Sequence, residues 1–340
     1  MVASHRRTVS RSEQPDPHTR GRVRAHTAAV LLIALVLVAA LVAACSAEAT
    51  VGASGSVSPD SSSVAGETAA DAFSGDVGAR AATGADWAHT LQVVANLRAE
   101  PPAKPVVVLL GGSAARESTI SDSSWRAQIE TKGGPATAAY NLGSRNRTLA
   151  QNVALVQALP KVPTIVLIGV NLGSFTSAQK TATISLPKPA ATLPPYKQHA
   201  YSRSRILTKA NKRMLAAAWL ADRYPVFRRN FRSSSGVLEK LIKVCRARGM
   251  KPVLFELPRN TAVIGSKLNT PTKKYRDKCR ALARKYGVPY VSLVAAARLP
   301  NSSFYDLWHL VEPGRKVWQN LLSAKTAALL KRYGYDGGGS

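Results

Sequence analysis

Ser113 stands inside Val106–Glu117 (V-V-V-L-L-G-G-S-A-A-R-E), where an apolar run meets two glycines and a hydroxyl. A serine on a sharp turn becomes a nucleophile when a neighbouring base takes its proton. The glycines permit that turn and allow a substrate to come close. Two plainer readings stay open at this point. The serine could cap a helix in an ordinary Gly-rich connection. The stretch could also cradle a phosphate, although G-G-S-A-A-R matches neither common Gly-rich fingerprint.

A base is sought among six histidines. His5, His18 and His26 precede a long apolar run, which leaves His89, His199 and His309. His309 belongs to Tyr305-Asp306-Leu307-Trp308-His309, near the C-terminus. An Asp three residues before a His on a turn can accept its Nδ1 proton and leave Nε2 outward as a base. Taken alone, D-x-x-H is more often a surface turn with a packed histidine. Gly143 (N-L-G-S) and Asn171 (G-V-N-L-G) each follow a strand-like run. A Gly143 N–H, the Asn171 amide and the Ser113 N–H would give a tetrahedral oxyanion three donors. Gly and Asn at strand ends are usually turn residues, so each is weak alone.

The elements that would hold these residues follow a βαβ rhythm. Val106–Leu110 reads as a first, fully buried strand. Further strands are expected at Ala136–Leu142, Thr164–Gly169, Lys251–Leu257 and Val288–Val291. Helices are expected at Trp87–Leu97, Thr148–Leu159, Val237–Arg248, Thr272–Tyr286 and from about Pro313 to Arg332. Five strands alternating with helices imply an α/β three-layer sandwich with a parallel sheet and right-handed crossovers. In such sheets sites lie at the carboxyl ends of the strands.

One region breaks the rhythm. Leu172–Arg232 is far longer than a connection requires. It carries twelve basic residues (Lys180, Lys188, Lys197, Arg203, Arg205, Lys209, Lys212, Arg213, Arg223, Arg228, Arg229 and Arg232) against the single acid Asp222. Because it begins just after Asn171, it is expected to cover the catalytic edge and to meet an anionic or polyhydroxylated polymer. A solvated basic face near anionic lipid is the competing account.

The whole chain has 47 basic and 19 acidic residues, a net charge of +28. Such a balance favours anionic partners. Nucleic acid is disfavoured: aromatics are few, no zinc-ligand spacing occurs, and the N-terminus carries an export signal. Residues 1–27 are polar and Arg-rich, and Ala28–Ala44 is uninterrupted small or apolar sequence. That reads as a signal segment or membrane anchor with a cytoplasmic positive flank. The ending Val42-Ala43-Ala44-Cys45 resembles a bacterial lipobox, in which the cysteine is lipidated. Residues 46–86, rich in Ala, Ser, Gly and Thr, read as a flexible tether. Residues 87–335 would then form the folded domain, outside the cytoplasmic membrane and tethered to it. Cys245 and Cys279 sit on two apolar helical stripes. Buried free thiols are the plainer reading, and a disulfide stays open.

In this order (Ser113 after strand one, Gly143 after two, Asn171 after three, Asp306 and His309 before the last helix) the residues resemble the SGNH, or GDSL-like, hydrolase superfamily. The resemblance covers about Val106–Arg332. It implies a flavodoxin-like five-stranded parallel sheet, with Ser113 as nucleophile, His309 as general base and Asp306 as its orienter. It assigns Ser113, Gly143 and Asn171 to the oxyanion hole. No metal and no cofactor are implied. The family's G-D-S-L is G-G-S-A here, and its G-x-N-D is G-V-N-L. Relaxed blocks with a membrane tether look like the branch that esterifies or de-esterifies cell-envelope polymers. The expected substrate is an acylated glycan or lipid. A non-enzymatic, envelope-binding module with an inactive fold of this kind is the rival.

Overall fold

A computed structural model of the chain describes residues 84–194 and 198–335. The signal or anchor segment, Cys45 and residues 46–83 of the tether lie outside the described residues. Among the described residues no helix is long and apolar enough to cross a membrane.

The element order is α1 (Ala85–Ala99), β1 (Val106–Leu110), α2 (Ser113–Arg116), α3 (Asp122–Thr131), β2 (Ala138–Asn141), α4 (Leu149–Ala158) and β3 (Thr164–Val170). A 3₁₀ turn, Leu172–Phe175, follows. Then come α5 (Lys209–Ala218), a π-helical turn (Trp219–Arg223), α6 (Tyr224–Ala247), β4 (Lys251–Glu256), α7 (Thr261–Ile264), α8 (Asn269–Tyr286), β5 (Tyr290–Ser292), α9 (Val294–Ala297) and α10 (Glu312–Arg332).

The five strands form one sheet in the order β2-β1-β3-β4-β5. Every pairing is parallel. The expected α/β sandwich is therefore the observed fold, and the chain reverses direction across the sheet between β1 and β3. Alternate residues of β1 serve opposite faces, as the two-residue period of a strand requires. Val106, Val108 and Leu110 pack with α1, α4, α6 and α8, for example against Val94, Leu155, Leu241 and Leu282. Val107 and Leu109 pack with α3 and α10, against Trp125, Ile129, Trp318 and Leu322.

Local chemistry sets several boundaries. Thr148 and Gln151 form a reciprocal capping box that starts α4, satisfying backbone donors that the first turn would leave orphaned. Gly287 ends α8 in the left-handed conformation, φ 61°, which costs a glycine little. Pro313 sits in the first turn of α10 with Glu312 beside it, where a missing N–H is harmless and a carboxylate meets the helix dipole.

The largest departure from expectation is the helix preceding β4. It begins at Tyr224 rather than Val237 and continues from α5 through the π turn. Pro225 explains the break. A proline has no N–H to offer Ala221 and would clash with its carbonyl, and the wider turn removes both problems. The second half of the basic insertion is thus one face of a long packed helix, with Phe227, Leu238, Leu241 and Ile242 buried. The first helix also starts at Ala85, two residues before Trp87. Helix α3 fills the connection between β1 and β2, where no separate helix is expected. Cys245 and Cys279 are free, buried thiols. Burial pushes each up to about 12, so they act as apolar packing groups.

Candidate active site

Strand β1 ends at Leu110, and Gly111 and Gly112 carry the chain into α2, whose first residue is Ser113. A Cβ at Gly111 would lie 2.7 Å from the Cβ of Ala115. Only glycine allows so tight a fold of α2 back onto its strand. The turn leaves Ser113 half-buried at the carboxyl edge, at the start of a four-residue helix whose remaining residues are buried.

His309 comes from the other end of the sequence. The Ser113 hydroxyl lies 2.8 Å from His309 Nε2. His309 Nδ1 donates to Asp306 Oδ2 at 2.7 Å. The other Asp306 oxygen accepts the backbone N–H groups of Trp308 and His309, both at 2.9 Å. Asp306 is buried, which opposes its ionisation. The His309 charge and hydrogen bond and the two amides outweigh burial and hold the carboxyl below its usual range. With Nδ1–H committed to Asp306, Nε2 is the acceptor and the Ser113 O–H donates to it. Sequence reasoning named these three side chains, and the structure brings them together in one hydrogen-bonded line.

Asn171 is placed by the register of β1 and β3. Leu110 pairs with Ile168, so Ser113 and Asn171 each stand three residues beyond a paired position. Asn171 caps the following 3₁₀ turn: its Oδ1 accepts from Ser174 N at 3.2 Å and from Ser174 Oγ at 3.3 Å. Its Nδ2 makes no hydrogen bond among the described residues. The backbone N–H of Ser113, in the first turn of its helix, is likewise unused there.

Gly143 differs from expectation. Its N–H donates to Asn141 Oδ1 at 3.0 Å and is not open to a substrate. Its task is steric: a Cβ there would lie 2.3 Å from Arg116 N. The residue missed beside it is Asn141. Its Nδ2 donates to Ala115 O at 2.8 Å and to Thr119 Oγ1 at 2.8 Å. One side chain thereby ties the end of β2 to the helix that begins at Ser113. A strand-ending Asn gives no sequence signal of this, because its partners are 22 and 26 residues away.

A second missed group is Glu117, which is 0% exposed. Its Oε1 accepts from Arg116 Nη2 at 3.1 Å and from Ala200 N at 2.9 Å. Its Oε2 meets Arg315 Nη2, and His199 Nδ1 lies 3.4 Å away. Arg116 reaches on to Asp86 Oδ2 at 3.0 Å. Burial pushes the Glu117 carboxyl up, but the His199 contact and the Arg315 and Arg116 charges together overcome this and keep it below its usual range.

The insertion lies on this same edge. Gln198 and His199 donate to Thr119 Oγ1 and Ile120 O, at 3.1 and 2.8 Å. Tyr201 stacks on the His309 ring, centroids 4.4 Å apart and planes 27° apart, and lies 4.5 Å from the Tyr305 ring. Leu207 N donates to Tyr305 O at 3.1 Å. The insertion therefore falls on the edge that carries Ser113 and His309, and Tyr201 is a neighbour of His309 that charge counting overlooked.

No family model and no curated protein sequence matches the chain. Solved structures do align with it. A protein designated an acylhydrolase from Bacteroides fragilis aligns with TM-score 0.39 and 14% identity, covering 71% of this chain and 98% of its own. A carbohydrate acetylesterase family member from Sinorhizobium meliloti aligns with TM-score 0.40 and 10% identity, covering 67% and 99%. AlinE4, an SGNH-hydrolase family esterase, aligns with TM-score 0.34 and 15% identity, covering 68% and 97%. At these scores the chain's own strand order and side-chain geometry carry the functional argument.

Proposed function

We propose that the chain is a serine ester hydrolase of the SGNH kind, acting by an acyl-enzyme mechanism. The Ser113–His309–Asp306 line, at 2.8 and 2.7 Å, is the observation that carries it. Ser113 Oγ attacks an ester carbonyl while His309 Nε2 takes its proton. Asp306 holds the ring in the required tautomer and stabilises the imidazolium that forms. His309 then returns the proton to the leaving alcohol as the tetrahedral intermediate collapses. The Ser113 N–H and Asn171 Nδ2 are the donors available to the oxyanion. A second nucleophile, water or a sugar hydroxyl, attacks the acyl-enzyme and releases Ser113. The two outcomes are esterase and O-acyltransferase. Following the acyl group from an acylated glycan, in water alone and with an added acceptor glycan, separates them. Absence of Ser113-dependent turnover in both leaves the rival reading, a basic binding module.

The substrate reading is an acyl ester on an anionic envelope glycan or lipid. It is supported by the exposure of Arg203, Arg205, Lys209 and Arg213 on the segment that follows Tyr201. Such charge raises the local concentration of an anionic polymer and is screened by salt. Turnover of an acylated anionic glycan is therefore expected to fall steeply between low and high ionic strength, and that of a small neutral ester to stay nearly level. Parallel salt curves for the two would exclude the electrostatic role.

The same reading puts the domain outside the cytoplasmic membrane, tethered through residues 28–44 or a lipidated Cys45. Mass spectrometry of the protein extracted from membranes checks this. A diacylglyceryl Cys45 terminus marks a lipoprotein, an intact N-terminus marks an uncleaved anchor, and a soluble cytosolic protein contradicts both.

A further inference from the structure

Lys212 is the one lysine fully buried among the described residues, at 0% exposure. It stands on α5 in the insertion. Its ammonium is aimed at the loop that carries the base and its orienter. Nζ donates to Asn301 O at 3.1 Å, Asn301 Oδ1 at 3.0 Å and Phe304 O at 2.7 Å. No carboxylate is in ion-pair contact with it among the described residues. A lysine buried without a paired acid is costly, and it persists where the structure needs the charge or its hydrogen bonds.

The loop it holds is also tied by backbone bonds, from Asn260 N to Leu307 O at 2.7 Å and from Val311 N to Ser303 O at 3.0 Å, but among the described residues Lys212 supplies the one charge that gathers oxygens of Asn301 and Phe304 together. Asn260 Nδ2 donates to Asn301 Oδ1 at 2.9 Å and to Asp306 O at 3.1 Å. Tyr305 N donates to His309 O at 2.8 Å. From Phe304 to Asp306 is two residues, so a shift of the turn is carried straight to the carboxylate and the imidazole.

We propose that Lys212 is a positioning residue for the triad: its ammonium, anchored in the insertion, clamps the Asn301–Phe304 turn and so sets Asp306 and His309 against Ser113. This rests on the serine-esterase reading above. It makes the insertion part of the machinery as well as a substrate surface.

The chemistry of the clamp is specific to the charged form. An ammonium has three hydrogens for three oxygens. A neutral amine has two, and turns a lone pair toward the third oxygen. Burial lowers Lys212 to about 8, opposed by the negative charge of Asp306. The other groups around it do not replace that charge. Helix α7 (Thr261–Ile264) carries no titratable side chain, and Lys209, Arg213 and Asp222 are exposed. Arg223 is half-buried, and the loop itself adds Tyr305 and His309. The clamp is thus engaged at neutral pH and released as pH rises past about 8.

The test compares wild type with Lys212→Met on p-nitrophenyl acetate from neutral to alkaline pH. It also follows the downfield proton of the His309 Nδ1–H by NMR. Misplacing a catalytic group by about 1 Å costs on the order of 100-fold. Wild type is expected to show an alkaline limb near pH 8; Lys212→Met is expected to lower kcat by 10- to 100-fold with KM little changed, and to lose that limb. The downfield resonance is expected to be sharp in wild type at neutral pH, to broaden above about pH 8, and to be weak in the variant throughout. If Lys212→Met does not fold, Asn301→Ala takes its place. It removes one acceptor, and should lower kcat and move the alkaline limb to lower pH. An unchanged resonance and an unchanged limb overturn the proposal. A wild type without Ser113-dependent turnover fails the esterase reading instead, and the resonance still decides the role of Lys212.

Discussion

Ser113→Ala is expected to reduce ester turnover on the order of 10⁶-fold while leaving the melting temperature near that of wild type. The serine is half-buried and donates a single hydrogen bond, to His309. Its loss creates no large cavity and strands no charge. His309→Ala should cost about as much, because nucleophile and base act as one unit and their effects do not add. Asp306→Asn should cost about 10⁴-fold, since an amide in place of the carboxylate favours the wrong tautomer of His309. That variant should also lose some stability, because Asp306 accepts from two backbone amides as well as from His309. Asn171→Ala removes one oxyanion donor and should cost about 100-fold. Initial rates on a chromogenic ester, with thermal melts run alongside, check the series. A fully active Ser113→Ala protein would rule out the acyl-enzyme mechanism.

Glu117→Ala is expected to destabilise the fold by about 3–5 kcal/mol, the usual cost of stranding a buried charge. Two guanidinium groups, Arg116 and Arg315, 4% and 5% exposed, would lose their shared carboxylate. For a domain of this size such a loss corresponds to roughly 10 °C in melting temperature. Activity should fall as well, since Glu117 ties the nucleophile's helix to Ala200 in the insertion. The pH dependence has a definite sign. The folded Glu117 carboxyl titrates below its ordinary value of 4.5. Its contribution is therefore complete above that value and is lost as pH falls through the lowered folded value. The gap in stability between wild type and Glu117→Gln should narrow as the solution is acidified below 4.5. A gap that stays constant from neutral to strongly acid pH would show that the Glu117 charge does not stabilise this network.

Much of this protein was legible along the chain. Apolar runs bounded by glycine and proline located all five strands, because buried parallel strands are nearly continuous in hydrophobicity. Strand and helix alternation with right-handed crossovers implied the parallel sandwich, while the order of the strands within the sheet came only from the family resemblance. Ser113, Asp306, His309 and Asn171 were readable only together, from their order along the chain and its resemblance to the SGNH superfamily, since each alone is an ordinary turn residue. Tertiary structure alone decided what holds them. The N–H of Gly143 is turned to Asn141. Tyr201 lies on the His309 imidazole, and Glu117 gathers two arginines and a segment more than eighty residues away. Lys212 looked like one of twelve interchangeable basic residues of the insertion, yet it is buried and spent on three loop oxygens. The physical reason is common to all of these. Hydrophobic period and turn chemistry act between near neighbours and leave a pattern in sequence. Hydrogen bonds and ion pairs across the fold depend on which distant groups meet, and one residue type written in one place can be solvated, capped or buried.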